Sequence, residues 1–417
     1  MKICAFSSYT IDKPASGAEV RVFEMLHHLV RFGNEVRLFV PGVKARRYVR
    51  TGIEVTVVPY PRVVRTVGLN RPVITLVRKL KATVGYSSLL GANPNVLRYA
   101  KDTIRASNVV LFIDRFQIFP LIYARTHGKV CVMDLLGFFF SYFISNFRSL
   151  VASPIGIAKL APVILAESLM MKLADYTVVS SSEDKTNCVN VLGLNPNQVF
   201  LIPDGIDPDD FSPSIDDGQT TRRSLGIDEQ CLVIAFVGNM TGPHNYSAVK
   251  FIMEGLAQSL ASRLSSSGLV VRFLIVGAYD YLPEEWLRNS SAIFTGYVDK
   301  VGRYLNAADI CISPLTSGTG MKTKTLGYLA CGRAVVTTPI GAEGLDLVNG
   351  RDAFICNLES MEDRVFRLVL DEHLRQLLGT RAREKFSTCT WEQRARSLHE
   401  ILLKMALKSN ASGRGHD

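Results

Sequence analysis

The sequence predicts an α/β protein of two doubly wound parallel-sheet domains facing each other across a cleft. Three observations predict it. The chain opens with a strand–helix–strand unit: MKICAFSS is a short apolar strand, VRVFEMLHHLVRFG has apolar residues at helical spacing, and NEVRLFVPG returns as a second strand. Apolar strands then alternate with helical stretches in two successive series of similar length. Between the series the texture changes. QVFLIPDGIDPDDFSPSIDDGQTTRRSLGID, residues 198–228, turns at Asp204-Gly205 and becomes acidic with Pro and Ser, as an interdomain linker does.

In the first unit Gly17 falls in the loop before the helix and Gly33 stops the helix. The spacing predicts two parallel strands with a right-handed crossover. IEVTVVPY (53–60), NVVLFID (108–114), KVCVMDL (129–135) and YTVVSSS (176–182) continue the strands. Residues 62–105 break the rhythm, with Arg62, Arg65, Arg71, Arg78, Lys79 and Lys81 set among Val, Leu and Ile. Such a segment is either a solvated amphipathic face or a surface that lies on anionic lipid.

The second series runs through CLVIAFVG (231–238), LVVRFLIVG (269–277), AIFTGYV (292–298), DICISPL (309–315) and RAVVTTP (333–339). Trp391 opens a last helix, and the polar tail KSNASGRGHD is expected to be disordered. The division expected is 1–205 and 206–385 for the domains, 386–405 for a C-terminal helix returning to the first, and 406–417 for the tail. Ligands of such sheets bind at the carboxyl ends of the strands.

The 417 residues suffice for two domains, and 47% apolar with 21% charged residues is a globular composition. A net charge of +10 favours an anionic partner: nucleic acid, acidic lipid or a phosphorylated small molecule. Nucleic acid is disfavoured, because the basic residues are not interleaved with a stacking aromatic platform. Only Ile3 to Phe6 are apolar before Ser7 and Ser8, so no secretory leader is expected. No run reaches the roughly 20 apolar residues that span a bilayer, LLGFFFSYFI at 135–144 being about half that length. The eight cysteines form no C-x-x-C pair. They read as buried hydrophobes of a reducing compartment, with no zinc or other metal site, and a cytoplasmic location is expected.

The stretch most suggestive of chemistry is SGTGMKTKTLGYLACGRAVVTTPIGAEGL, residues 317–345. Ser317-Gly318-Thr319-Gly320 forms a turn between a strand and a helix starting near Met321. Unpaired N–H groups and the positive helix end there suit an anion, and glycine permits close approach. Lys322 and Lys324 add charge; Thr319 and Thr323 add hydroxyls. A phosphate or diphosphate fits, and so does a plain tight turn with two solvated lysines.

PLTSGTGMKTKTLGYLACGRAVVTTPIGAEGL resembles the donor-binding segment of retaining GT-B glycosyltransferases, the family-4 group. SGAEVRVFEMLHHLVRFGNEV resembles that family's N-terminal glycine loop and first helix. IPDGIDPDDFSP resembles its interdomain segment, FVGNMTGPHNYSAVKF the opening of its second domain in one branch, and FTGYVDKVGRYLNAADICISPL completes the run. The resemblance implies two Rossmann-like domains, a UDP- or GDP-linked sugar held mainly by the second, and transfer with retained anomeric configuration. It implies no metal or other cofactor, since amides and lysines stabilise the departing diphosphate. Lys324 matches the family lysine; Thr319 and Gly320 match the loop that meets sugar and phosphate. Gly17 matches the N-terminal loop that closes over the phosphates, Tyr297 and Val298 the wall that reads the nucleobase, and Glu343 a loop near the donor.

The departures are specific. Relatives place a glutamate that grips the donor ribose three residues after the matching lysine, and here that position is Gly327. The Arg and Lys that many relatives place after the first strand of this domain fall near Asn239 and His244, which leaves Lys322 and Lys324 a larger share of the diphosphate. Asp134 stands where many relatives have a histidine. It is read as a group that hydrogen-bonds a sugar or takes the acceptor proton, against a plain strand-end cap. Asp114 and Arg115 end a strand on the same side and are candidates for acceptor contact.

The function expected is sugar transfer from a nucleotide sugar to a lipid-linked or polysaccharide acceptor. The enzyme would lie peripherally on the inner membrane face through residues 62–105. Loss of the glutamate at Gly327 also admits a non-catalytic GT-B-like binding protein. A nucleotide-sugar epimerase is disfavoured by the lack of paired carboxylates at matching positions.

Overall fold

The structure is a computed structural model that describes residues 1–12, 14, 16–59, 95–113, 117–137, 164, 165, 167–318 and 320–411. The chain divides into two compact units, residues 1–203 with 391–417, and residues 204–390.

The first unit is an eight-stranded sheet: β1 (Lys2–Ser7), β2 (Glu35–Gly42), β3 (Arg46–Arg50), β4 (Ile53–Pro59), β5 (Val109–Ile113), β6 (Val130–Leu135), β7 (Tyr176–Val179) and β8 (Val199–Leu201). The order is β3-β4-β2-β1-β5-β6-β7-β8, parallel throughout except β3 against β4. Strands β5 and β6 are buried at every residue, as expected of a sheet covered on both faces. On one face α1 (Gly17–Arg31) sets Val22, Met25, Leu26 and Leu29 against Trp391, Leu398 and Leu402, which belong to the last helix. On the other, α2 (Val96–Ala106) and α3 (Ile118–Thr126) bury Ala100, Ile104, Leu121 and Ala124. Helix α4 (Ser182–Asn190) follows β7.

Two local features depart from the sequence reading. Gly17 is the first residue of α1 and not part of the loop before it. The Glu19 N–H donates to Ser16 Oγ, and the Ser16 N–H donates back to Glu19 Oε2 at 3.0 Å, a capping box that starts the helix ahead of its apolar stripe. Strand β3, RRYVR, was not expected, because its charges hide the pattern. It lies at the sheet edge, where charge discourages further pairing.

The second unit has a six-stranded all-parallel sheet: β9 (Leu232–Val237), β10 (Val271–Val276), β11 (Ala292–Phe294), β12 (Ile310–Ser313), β13 (Ala334–Thr337) and β14 (Phe354–Ile355). Its order, β11-β10-β9-β12-β13-β14, is the 3-2-1-4-5-6 order of dinucleotide-binding sheets. Around it lie α5 (Ile215–Ser224), α6 (Pro243–Phe251), α7 (Ala257–Leu264), α8 (Thr323–Ala330), α9 (Leu358–Leu370) and α10 (Glu372–Phe386). Helices α6, α7 and α9 cover one face with Val249, Leu260 and Val365, whereas α8 and α10 cover the other with Leu326, Leu329 and Ala382. The chain order therefore reverses between β9 and β12, whose following loops lead to opposite faces. A crevice at the carboxyl end of these two strands follows from that topology.

The final helix, α11 (Trp391–Ala411), packs in the first unit, where Trp391, Ala395, Leu398 and Leu402 join the core beside α1. Among the described residues no helix is long and apolar enough to cross a membrane. Most of the basic segment, residues 60–94, and the apolar stretch from 138 lie outside the described residues.

Candidate active site

The site lies at the β9/β12 reversal of the second unit. Strand β9 is followed by Gly238, where a Cβ would come within 2.7 Å of Asn245 Oδ1 and 2.9 Å of Lys324 Nζ. Only a glycine leaves that space open. The Asn245 amide donates to the Asn239 carbonyl at 2.8 Å and, so held, turns its Oδ1 to accept from Lys324 Nζ. The same ammonium sits 4.7 Å from the centre of the Phe236 ring. Helix α8 is fixed in register with β9 because the Val237 N–H donates to the hydroxyl of fully buried Tyr328 at 2.7 Å.

Lys324 has no carboxylate partner among the described residues, and burial pushes its ammonium down to about 7, with the charge of Lys322 adding to the effect. His244, at the start of α6, is pushed down to about 4 by burial, then by Lys324 and Lys322. At neutral pH His244 is thus held uncharged, while Lys324 is poised near the midpoint between ammonium and free amine.

Lys322 is placed differently. Its Nζ donates to Glu343 Oε2 and to the Gly320 carbonyl, both at 2.7 Å, and its backbone N–H donates to the Glu343 carbonyl. Thr325 Oγ1 donates to the Gly341 carbonyl, and a Cβ on Gly344 (φ +75°) would meet Met321 at 2.9 Å. These contacts strap the loop after β12 to the loop after β13. The expectation that Lys322 shares the diphosphate with Lys324 is therefore modified, since Glu343 already balances the charge of Lys322. The candidate Gly320 is buried at φ +71°, a conformation that favours glycine, and Thr319 lies outside the described residues.

Gly327 has a clear packing reason. A Cβ there would stand 2.6 Å and 2.9 Å from Cε1 and Cδ1 of Phe211, whose ring comes from the interdomain segment. The ring lies against the helix at the position where the resemblance leads one to expect a glutamate.

Tyr297 is 60% exposed beyond the end of β11, while Val298 is half-buried against the core of this unit. Tyr297 therefore presents an open ring and Val298 a backbone fixed by packing.

In the first unit, Asp134 is placed otherwise than an open base requires. It is 1% exposed at the end of β6, with Oδ1 accepting from Arg21 Nη2 at 2.8 Å and Oδ2 from Arg21 Nε at 3.2 Å. Arg21, equally buried, also donates to the Ile202 carbonyl at 3.0 Å. Asp134 is thus the counter-ion that bolts α1 to the ends of β6 and β8, a placement that differs from the open carboxylate expected for a sugar contact or for taking the acceptor proton, and from a plain strand-end cap. Sequence reading missed Arg21 because it lies within the apolar spacing of α1 and carries no mark of burial. Asp114 and Arg115 lie outside the described residues.

Residues 231–371 match the family model described as "Glycosyl transferases group 1". Among solved structures, the sucrose-phosphate synthase from Thermosynechococcus elongatus superposes over 98% of this chain and 99% of its own, with a TM-score of 0.71 at 15% identity. The fold is GT-B. Curated relatives of this GT-B chain include the D-inositol 3-phosphate glycosyltransferase of Geodermatophilus obscurus, 24% identical over 250 residues. That match covers 56% of this chain and 54% of the relative. Another is the UDP-Gal:alpha-D-GlcNAc-diphosphoundecaprenol alpha-1,3-galactosyltransferase of Escherichia coli, 23% identical over 226 residues, covering 52% and 57%. The chain spans about half the length of the curated relatives it matches. The β9/β12 crevice of the second GT-B unit falls within the residues that the family model matches.

Proposed function

We propose that the protein is a retaining glycosyltransferase that moves a hexosyl group from a UDP- or GDP-linked donor to a lipid-linked or polysaccharide acceptor. One observation carries the reading: Lys324 is a desolvated lysine without a carboxylate partner among the described residues, held at the strand-order reversal beside a glycine-made opening. A departing diphosphate needs positive charge fixed in place before bond cleavage, and a caged lysine supplies it without reorganisation. Backbone amides around Gly320 and the start of α8 add to it, so the reaction needs no metal or other cofactor. Gly320 and Thr319 meet the sugar and phosphates, Tyr297 and Val298 the base, and Gly17 the phosphates from the first unit. Glu343 works through Lys322, keeping the two loops together. The Escherichia coli relative, whose name carries UDP-Gal and a diphosphoundecaprenol acceptor, supports UDP and a lipid-linked acceptor. Such an acceptor favours a place at the inner membrane face, with residues 62–105 against anionic lipid.

The test is nucleotide release. The protein is incubated with UDP- and GDP-hexoses and with lipid-linked saccharide extracted from membranes, and release that depends on acceptor is measured. The anomeric proton coupling in the product then gives the stereochemistry. Release with an α-linked product from an α-linked donor is expected; no release from any pair would overturn the reading. The Phe211 ring at Gly327 favours one second reading, a GT-B protein that binds nucleotide sugar without transferring it. Binding without release would select that reading.

A further inference from the structure

Three basic side chains converge on the β9/β12 crevice, and the described structure pairs one carboxylate with them. Lys322 faces Lys324 from the start of α8; His244 and Asn245 face it from α6; Phe236 and Gly238 face it from β9. Glu343, on the loop after β13, is bound to Lys322. A buried ammonium beside a second ammonium loses hydration and gains repulsion, and together these outweigh the attraction of the Phe236 face and favour the free amine.

An incoming diphosphate reverses that field, because its negative oxygens restore what burial removed. We propose that a nucleoside diphosphate enters this crevice together with a proton from solvent, which the Lys324 amine takes up. The inference rests on the nucleotide-sugar reading above and adds to it that the site carries its full charge only when occupied. The bond between the buffer and its proton breaks, the Nζ lone pair forms a new N–H bond with that proton, and no other bond changes. Lys324 held near 7 in the free protein is the supporting sign. The consequence is a site that is weakly cationic when empty and fully cationic when occupied.

The experiment is calorimetric titration of the full chain with UDP and GDP at about pH 8, in HEPES and in Tris, whose heats of ionisation differ. At that pH the ligand's terminal phosphate, with a second pKa of about 6, is already ionised and contributes little. Wild-type protein is expected to show a buffer-dependent heat equivalent to nearly one proton taken up. Its affinity is expected to weaken about tenfold per pH unit above pH 8. Lys324→Arg, which stays charged, is expected to bind with buffer-independent heat and a flat profile. Tight wild-type binding with buffer-independent heat would overturn the proposal and leave the function standing. An unchanged pH slope in Lys324→Arg would do the same. Failure of the folded wild-type protein to bind either nucleotide would overturn the nucleotide-sugar reading, and this proposal with it. The wild-type measurement stands even if the arginine variant does not fold.

Discussion

Replacing Gly327 by alanine sets two energies against each other. In a helix interior alanine is favoured over glycine by about 1 kcal/mol, so propensity alone makes the substitution stabilising. The new Cβ would stand 2.6 Å from the Phe211 ring, which must retreat by about 1 Å to reach an ordinary carbon–carbon contact. Overpacking of this kind costs about 1–3 kcal/mol. The expected net effect is a loss of up to about 2 kcal/mol, seen as a lower urea midpoint at unchanged slope. Phe211→Ala removes the obstacle, and in that background Gly327→Ala should stabilise by about 0.5–1 kcal/mol. The double-mutant cycle isolates the contact as a coupling of about 1–3 kcal/mol. A stabilising Gly327→Ala in the wild-type background, or an uncoupled cycle, would refute the packing argument.

Two other substitutions follow from the same geometry. Arg21→Met strands the Asp134 carboxylate in the core and should cost about 3–5 kcal/mol, whereas Arg21→Met/Asp134→Leu should recover most of it in the same denaturation assay; a loss under about 1 kcal/mol would contradict the bolt. His244 is held at about 4 in the fold against 6.5 in an open chain. Between those values the unfolded chain binds the extra proton, so the contribution is complete above about pH 6.5 and shrinks as pH falls toward 4. It amounts to at most about 3 kcal/mol. His244→Gln should flatten the acid side of a melting-temperature profile, and an unchanged profile would place the burial of His244 in doubt.

Strand positions were legible because fully buried parallel strands such as VVLFI and VCVMDL read as unbroken apolar runs. The glycine-rich turn after β12 was legible because glycines and lysines mark it directly. The partners of those lysines were not. Lys322 and Lys324 are two residues apart and look alike in sequence, yet one meets Glu343 across a strap of loops and the other meets Asn245 and Phe236. Asn245 carries no local sign of this role, since its contact to Lys324 spans 79 residues. Asp134 shows the same limit in reverse. A strand-end aspartate looks open to a ligand until Arg21, 113 residues earlier, is seen to close it off.

The central claim is that a nucleoside diphosphate is held by Lys324 at the β9/β12 crevice, and titration of wild-type and Lys324→Met protein with UDP and GDP tests it most directly. The account predicts saturable binding of one nucleotide to the wild type and a loss of at least about tenfold, roughly 1.4 kcal/mol, in a variant that melts normally. Equal affinity in the two proteins would contradict it.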